Sequence, residues 1–521
     1  MRANPVSLAV FNHRLSAIAE EMGVVLCRSA FSSNIKERRD FSCAVFDARG
    51  ELVAQAAHIP VHLGSTPLSV RAAIEQVPMG RGDVVMLNDP YAGGTHLPDL
   101  TVIAPVFLPR EPRPFGYVAN RAHHADIGGS SPGSMPLATE IYQEGLRVPP
   151  VRIVARGRLV SDILRLFTAN TRVADERRGD LLAQLAALRR GMTRLRHLVG
   201  VAGRRQTAEA MLALQNYSAR LLSVSLRCLP SGTYRGEDWM DDDGAGANRI
   251  PIRVAVRIGR GRARVDFTGT GHQVSGGINA NYAVTVAAVL YVFQALANVP
   301  IPPNAGLMRP IRIVAPLGSL VNPRFPAAVA GGNVETSQRI VDVLLKALAP
   351  AAPGIVPAAS CGSMNNLAIG GYDPLRRREF AYYETLAGGA GAGPQRAGAS
   401  GRHTHMTNTL NTPVEALEAA YPLRVTRYGL RRGSGGSGRH RGGDGIVREI
   451  ELLAPAHATL LTERRLMQPY GLWGGRPGDR GRNILVNDGK VITLAGKANV
   501  NVRAGARLRI LTPGGGGWGR R

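Results

Sequence analysis

Two short motifs carry the same chemistry: His96-Leu97-Pro98-Asp99 and His123-His124-Ala125-Asp126. Each supplies imidazole and carboxylate, and each lies beside a glycine pair, Gly93-Gly94 and Gly128-Gly129. Imidazole nitrogen with carboxylate oxygen is a donor set suited to Zn²⁺, Mn²⁺ or Fe²⁺. The plainer alternative is that these residues cap turns through Asx hydrogen bonds. Two such motifs in succession favour a shared metal site. The first follows the apolar run Val84–Leu87, and apolar segments from Leu100 to Leu108 and from Phe115 to Ala119 separate the pair. Two strands with a return between them would bring both motifs to one sheet edge.

Other residues could join or extend this chemistry. Asp40 stands at the mouth of the apolar run Phe41–Phe46, either entering the site as a ligand or pairing with a neighbouring arginine. His58 and His62 are separated by Pro60, which argues against a helical metal pair and leaves them as pocket-lining candidates. His403 and His405 alternate as on a strand and would face the same way, a possible second site with no carboxylate placed beside it. Gly331-Gly332 leads into a helical pattern ending near Leu348, with Thr336 or Ser337 as the expected N-cap. A glycine-rich helix entry of this kind can receive an anion.

The elements that must position these groups are many and short. The 521 residues contain 62 Gly and 34 Pro, so tight turns and short strands are expected. Helical spacing covers Leu8 to around Gly23 or soon after, Leu159–Leu198 and Gln206–Leu229, and Ile278–Ala297 reads as a buried helix whose apolar stretch, Val284–Ala297, is too short to cross a membrane. Ile250–Phe267 reads as two strands around Gly259-Arg260-Gly261, and Asp241-Asp242-Asp243-Gly244 as a hairpin turn rather than a calcium loop. The fold class that follows is α+β with several subdomains and no dinucleotide-binding fingerprint. Composition shifts divide it into residues 1–200 carrying the metal-site motifs, a middle α+β region 201–355, and a β-rich region 356–521.

The formal charge of +26 raises nucleic-acid binding, but 60 of the 64 basic residues are arginine and they are spread along the chain. No basic arm and no interleaved aromatic platform accompanies them, so neither nucleic acid nor membrane is an expected partner. Four cysteines without a Cys-x-x-Cys pair, and no leader pattern, fit free thiols in the cytoplasm. No Gly-x-x-x-x-Gly-Lys-Ser/Thr phosphate loop occurs.

Taken together, the motifs resemble the hydantoinase B/oxoprolinase family, whose members include N-methylhydantoinase, 5-oxoprolinase, caprolactamase and acetone carboxylase subunits. The matching stretches are Asn34-Ile-Lys-Glu-Arg-Arg-Asp-Phe-Ser-Cys-Ala, His58-Ile-Pro-Val-His-Leu-Gly, Asn88-Asp-Pro-Tyr-Ala-Gly-Gly-Thr-His-Leu-Pro-Asp and Arg121-Ala-His-His-Ala-Asp-Ile-Gly-Gly. Further matches are Gly332-Asn-Val-Glu-Thr-Ser-Gln-Arg, Met364-Asn-Asn, His403-Thr-His-Met-Thr-Asn-Thr and Thr512-Pro-Gly-Gly-Gly-Gly-Trp-Gly. The resemblance implies a divalent metal held by Asp40, His96, Asp99 and His123, with His124 and Asp126 orienting those ligands. It implies a hetero-oligomer in which a hydantoinase A-type partner binds ATP and phosphorylates the amide oxygen of a cyclic amide, while this chain primes water for attack. Glu335, Asn365, Asn366 and His405 become candidates for substrate or proton-transfer roles, the plainer role being hydrogen bonding within the loop scaffold. Two alternatives remain: a subunit of an ATP-dependent acetone- or acetophenone-type carboxylase, and a non-catalytic basic binding protein.

Overall fold

The computed structural model describes residues 5–520 apart from 57, 58 and 298, so His58 lies outside the described residues. Ten α-helices and four sheets make up the described part, a mixed α/β architecture with many short strands. No helix among the described residues is long and apolar enough to cross a membrane.

The first sheet positions the two motifs. Its seven strands are β1 (Phe41–Asp47), β2 (Leu52–Ala56), β3 (Val84–Leu87), β4 (Asp99–Val106), β5 (Gly116–His123), β6 (Val151–Ala155) and β7 (Arg158–Leu159). They pair antiparallel throughout in the order β2-β1-β5-β4-β3-β6-β7. Both faces are covered, which explains why these strands read as continuous apolar runs. Alternate residues of β1 divide between the faces. Cys43 and Val45 join a core with the helices Pro5–Ser29 and Ala174–Ala202, while Ala44 and Phe46 meet the helix His62–Gln76.

The first helix runs to Ser29, beyond the stop expected around Gly23 or soon after it. Gly23 is buried within it, and the apolar spacing continues to Leu26 against the helix Ala174–Ala202. Packing along the full length offsets the cost of about 1 kcal/mol that an interior glycine brings.

The middle region is built on strands Gly232–Asp242, Asn248–Gly259, Arg262–Asp266 and Ile311–Val314, covered by the helices Tyr282–Leu296 and Ser337–Leu348. The acidic stretch is the expected hairpin turn: Asp243 accepts from the backbone N–H groups of Ala245 and Ala247. The expected cap at Thr336 or Ser337 is not formed. A π-helical turn, Gly332–Thr336, continues directly into the helix, so Thr336 is itself helical (φ −65°, ψ −32°). Its hydroxyl donates to the Ile278 carbonyl, and Ser337 bonds back to Asn333.

In the C-terminal region one sheet of four strands and one of five pack around Leu367, Ile369, Tyr382, Ile450, Leu452 and Leu508. His403 and His405 are not on a strand, and His405 takes a left-handed backbone (φ 59°), which breaks the expected alternation.

Candidate metal centre

Register brings the motif residues together. Asp99 opens β4 and His123 closes β5, and the two are direct cross-strand partners. Asp40 immediately precedes β1, and its carbonyl accepts from the His123 backbone N–H. Three neighbouring strands thus deliver Asp40, His123 and Asp99 to one end of the sheet.

His96 arrives on the loop before β4. Gly93 there has φ +86°, and a Cβ on it would stand 2.4 Å from the Leu68 carbonyl carbon, so the loop lies flush against the helix His62–Gln76. Asn281, the N-cap of the buried helix Tyr282–Leu296, donates from its amide to the carbonyls of Gly94 and Thr95. The middle region therefore clamps the loop that carries His96.

His62, the first residue of its helix, completes the group. Pro60 precedes the helix rather than interrupting it. His62 Nε2 and His96 Nε2 both lie 3.4 Å from Asp99 Oδ2, which also accepts from the Thr95 hydroxyl. His62 Nδ1 sits 3.0 Å from Ser42 Oγ. The His96 and His123 ring centroids are 5.0 Å apart, and the Tyr383 ring stacks on His123 at 4.7 Å with 4° between planes. All of these side chains are buried.

Electrostatics follow from that burial. Desolvation pushes Asp40 upward, with Arg38, 3.7 Å away, partly opposing it. Desolvation also acts on Asp99, but His96 and His62 more than offset it and hold the carboxyl well below its ordinary range. Burial, reinforced by His96, drives His123 well down, so it is neutral and available as a ligand.

Polar atoms of this cluster lack partners. Both ring nitrogens of His96, Nε2 of His123 and Oδ1 of Asp99 are buried without a hydrogen bond. Buried polar groups are normally satisfied, so these point to a missing ligand. Asp40, His62, Asp99, His123 and Tyr383 line a cavity of about 20 Å³, room for about one water-sized species. Among the described residues no three His, Cys, Asp or Glu side chains already surround a metal-sized position. Holding an ion therefore requires these side chains to turn inward. Ligation through His123 Nε2 would place its proton on Nδ1, where Asn34 Nδ2 now lies 3.2 Å away, and would turn that amide to present its oxygen. In donor chemistry and in unsatisfied atoms the residues fit a divalent ion.

His124 and Asp126 face elsewhere. His124 Nε2 bonds Gln184. Asp126 organises its own loop through the backbone N–H groups of Gly128, Gly133 and Arg172 and the Arg172 guanidinium. Glu335 reaches the centre indirectly: Asn366 Nδ2 donates to Glu335 Oε1 at 2.7 Å, and the Tyr383 hydroxyl donates to Asn366 Oδ1 at 2.7 Å. Burial and repulsion from Glu463 push the Glu335 carboxyl up to about 8. The Asn365 side chain accepts from Arg465 instead. His405 sits beside Tyr291 and Asp342, though its neighbours Met406 and Thr407 line the cavity.

Sequence reasoning places His62 in a pocket but not in this cluster, because Pro60 argues against the pair His58–His62 and says nothing of His62 alone. It misses Tyr383 and Asn34 as parts of the centre. Asn34 lies inside a recognised motif, whereas Tyr383 carries no local signal.

The Hydantoinase B/oxoprolinase family model matches residues 4–521. The chain is 43% identical to 5-oxoprolinase 1 of Arabidopsis thaliana over 548 residues, covering 99% of this chain but 42% of that protein. It is 32% identical to a protein of a Pseudomonas species named as a D-/L-hydantoinase subunit, covering 99% of this chain and 90% of the relative. Among solved structures it resembles the ATP-dependent caprolactamase from Pseudomonas jessenii, with TM-score 0.93, 28% identity, and coverage of 100% and 92% of the two chains. It shares its fold with a nucleotide-free acetone carboxylase chain, with TM-score 0.91, 19% identity, and coverage of 100% and 76%. The chain spans about two fifths of the 5-oxoprolinase and nearly all of the hydantoinase relative, and it belongs to the hydantoinase B/oxoprolinase family.

Proposed function

We propose that this chain is the metal-dependent catalytic component of an ATP-dependent amidohydrolase that opens a cyclic amide such as a hydantoin, 5-oxoproline or another lactam. The carrying observation is that Asp40, His62, Asp99 and His123 line a buried cavity of about 20 Å³, with His123 Nε2, Asp99 Oδ1 and the ring nitrogens of the adjacent His96 lacking hydrogen bonds. Asp40, His96, Asp99 and His123 would hold Zn²⁺, Mn²⁺ or Fe²⁺, with His62 as a further donor. Such an ion, when bound, supplies Lewis-acid chemistry and brings the pKa of coordinated water to about 7. Asp99 stays anionic through His62 and His96, and so can hold a cation or accept a proton at Oδ1. Tyr383 fixes the His123 ring plane by stacking. Burial excludes bulk water, which strengthens each electrostatic contact within the cluster.

An unstrained amide is a poor electrophile, and ATP activation belongs to a hydantoinase A-type partner in this reading, giving a cytoplasmic hetero-oligomer. The naming of a relative as a subunit, and the fused length of the 5-oxoprolinase, support separate or joined halves respectively. Glu335, with Asn366, would orient Tyr383, while Asn365 and His405 remain candidates for substrate or proton-transfer contacts. The acetone carboxylase fold keeps a carboxylase component as the second reading.

The test is metal analysis of the purified chain together with co-expression beside an ATP-binding partner. Substrate-dependent ATP hydrolysis is then screened with hydantoins, 5-oxoproline, lactams and ketones. Stoichiometric metal and ring opening are expected; turnover of ketone with bicarbonate would select the carboxylase, and absence of metal would remove the assignment.

A further inference from the structure

The middle sheet carries a row of like charges. Arg312 on strand Ile311–Val314 is the register partner of Arg264, Arg264 is the partner of Arg257, and Arg257 is the partner of Thr233. Cross-strand partners share a face, so three adjacent arginines stand side by side across the sheet, and all three are exposed. Cross-strand neighbours lie about 5 Å apart, and like charges there destabilise the sheet. The row lines an open groove of about 930 Å³ that also includes Arg260 and Arg262 at the hairpin end. No acidic and no aromatic residue lines it.

The rest of the sheet does not tolerate such a row. Farther along the same strands Glu237 faces Arg253 in register, and the two form a 2.8 Å ion pair. Asp266 engages Arg264 at 2.9 Å and ends the positive stretch on that side. Arg309 is spent on Glu51, Gln215 and Asn216. Arg257 and Arg312 are thus left without a carboxylate, together with Arg260 and Arg262 at the hairpin tip; Arg264 between them is held by Asp266, and Arg235 on the neighbouring rung is a further exposed arginine.

We propose that this rung is a docking surface for a short acidic segment of another protein. A single exposed ion pair is weak, so one small anion would not be retained in so open a groove. Several carboxylates on one chain would engage the row together and relieve its repulsion. A single-stranded nucleic acid is disfavoured by the absence of a stacking surface, and a duplex by the acidic residues that cut the positive stretch short.

The test uses the full chain, a fluorescein-labelled octaglutamate peptide, a (dT)₈ oligonucleotide and inorganic phosphate. The variant is R257T/R312T, which keeps β-favouring residues at both positions and leaves the Arg264–Asp266 pair intact. The peptide is expected to bind at low salt, to weaken about tenfold or more in the variant, and to raise the melting temperature of the wild type only. Without peptide the variant is expected to melt at or above the wild-type temperature, which separates loss of docking from loss of fold. R503T, at an exposed arginine just after the strand Lys497–Val502, is expected to leave binding unchanged. Equal peptide affinity in R257T/R312T would overturn the proposal, as would tighter binding of (dT)₈ or displacement of the peptide by millimolar phosphate.

Discussion

Two buried polar clusters of this molecule differ in what their carboxylates face. One is the group Asp40, His62, His96, Asp99 and His123. The other joins Asp238, Arg339, Asp342, Glu463, Arg464 and Lys497 between the middle and C-terminal regions. In the second cluster carboxylates meet cations directly. Arg464 reaches Asp238 at 2.8 Å and Asp342 at 2.7 Å, Arg339 reaches Glu463 at 2.9 Å, and Lys497 bonds Glu463. Burial opposes ionisation of Asp238, yet Arg464 and Arg339 hold it at about 2. Three atoms there, Arg339 Nε, Arg464 Nε and Asp342 Oδ1, lack a hydrogen bond, but every carboxylate meets a cation; in the first cluster four atoms lack one, including both ring nitrogens of His96, whose Nε2 lies 3.4 Å from Asp99 Oδ2. Equal burial thus carries two arrangements: carboxylates matched to arginine and lysine at the junction, and carboxylates facing imidazoles, a donor set suited to a divalent ion, in the histidine cluster.

The harshest challenge to this contrast is His96→Ala. On the proposed function it abolishes both bound metal and turnover; because it also empties a fully buried site and takes an imidazole from Asp99, the melting temperature falls, and His96→Gln, which keeps most of the volume, separates loss of metal from loss of fold. Metal analysis, ATP-coupled turnover and a thermal melt read the three quantities. Retention of metal and turnover would dissolve the distinction from this side.

The opposite outcome is expected at the junction. Arg464→Met strands Asp238 and Asp342 as buried, under-compensated charges, and breaking a buried pair in this way costs about 3–5 kcal/mol. Urea unfolding should show the loss, with metal content unchanged in the fraction that remains folded. A near-neutral effect would mean that the carboxylates of this junction are no better matched than those of the histidine cluster.

What the sequence made legible tracks chain distance. Asp99 and His123 flank one hairpin, so two apolar runs and a return were enough to bring them together. Asp40 was legible because its strand opens with a polar-to-apolar break, and β1 then pairs with β5. Tyr383 comes from a strand far along the chain, and its stacking on His123 depends on how the C-terminal sheets dock, which no periodicity encodes. The helix cap at Thr336 failed for a related reason: tertiary packing drew that residue into a π-turn and satisfied its hydroxyl at Ile278. The arginine row was invisible because Arg257, Arg264 and Arg312 become neighbours only through strand register.

Glu335 lies between the two clusters and extends the contrast to pH. Its folded pKa is raised to about 8, by burial and by Glu463, against an ordinary carboxyl value near 4.3. Between those values the unfolded chain releases a proton that the folded chain keeps, so Glu335 lowers stability progressively as pH rises through this window, levelling off above about 8. Glu335→Gln keeps the acceptor for Met364 N–H and Asn366 and removes the titration. Melting curves should converge near pH 4 and separate at pH 8–9, with the variant the more stable. An unchanged pH profile would show that Glu335 ionises freely where it stands.

The smallest expected effect probes orientation rather than ligation. Tyr383→Phe keeps the ring that stacks on His123 but deletes the hydroxyl that donates to Asn366 Oδ1. One neutral hydrogen bond contributes about 1 kcal/mol, so turnover should fall about fivefold while metal content stays stoichiometric. Tyr383→Leu removes the stacking surface as well and should reduce metal affinity, because His123 loses the plane that holds its ring. If Phe and Leu behave alike, the stack does not position His123, and the order of the histidine cluster rests on its strands and the His96 loop alone.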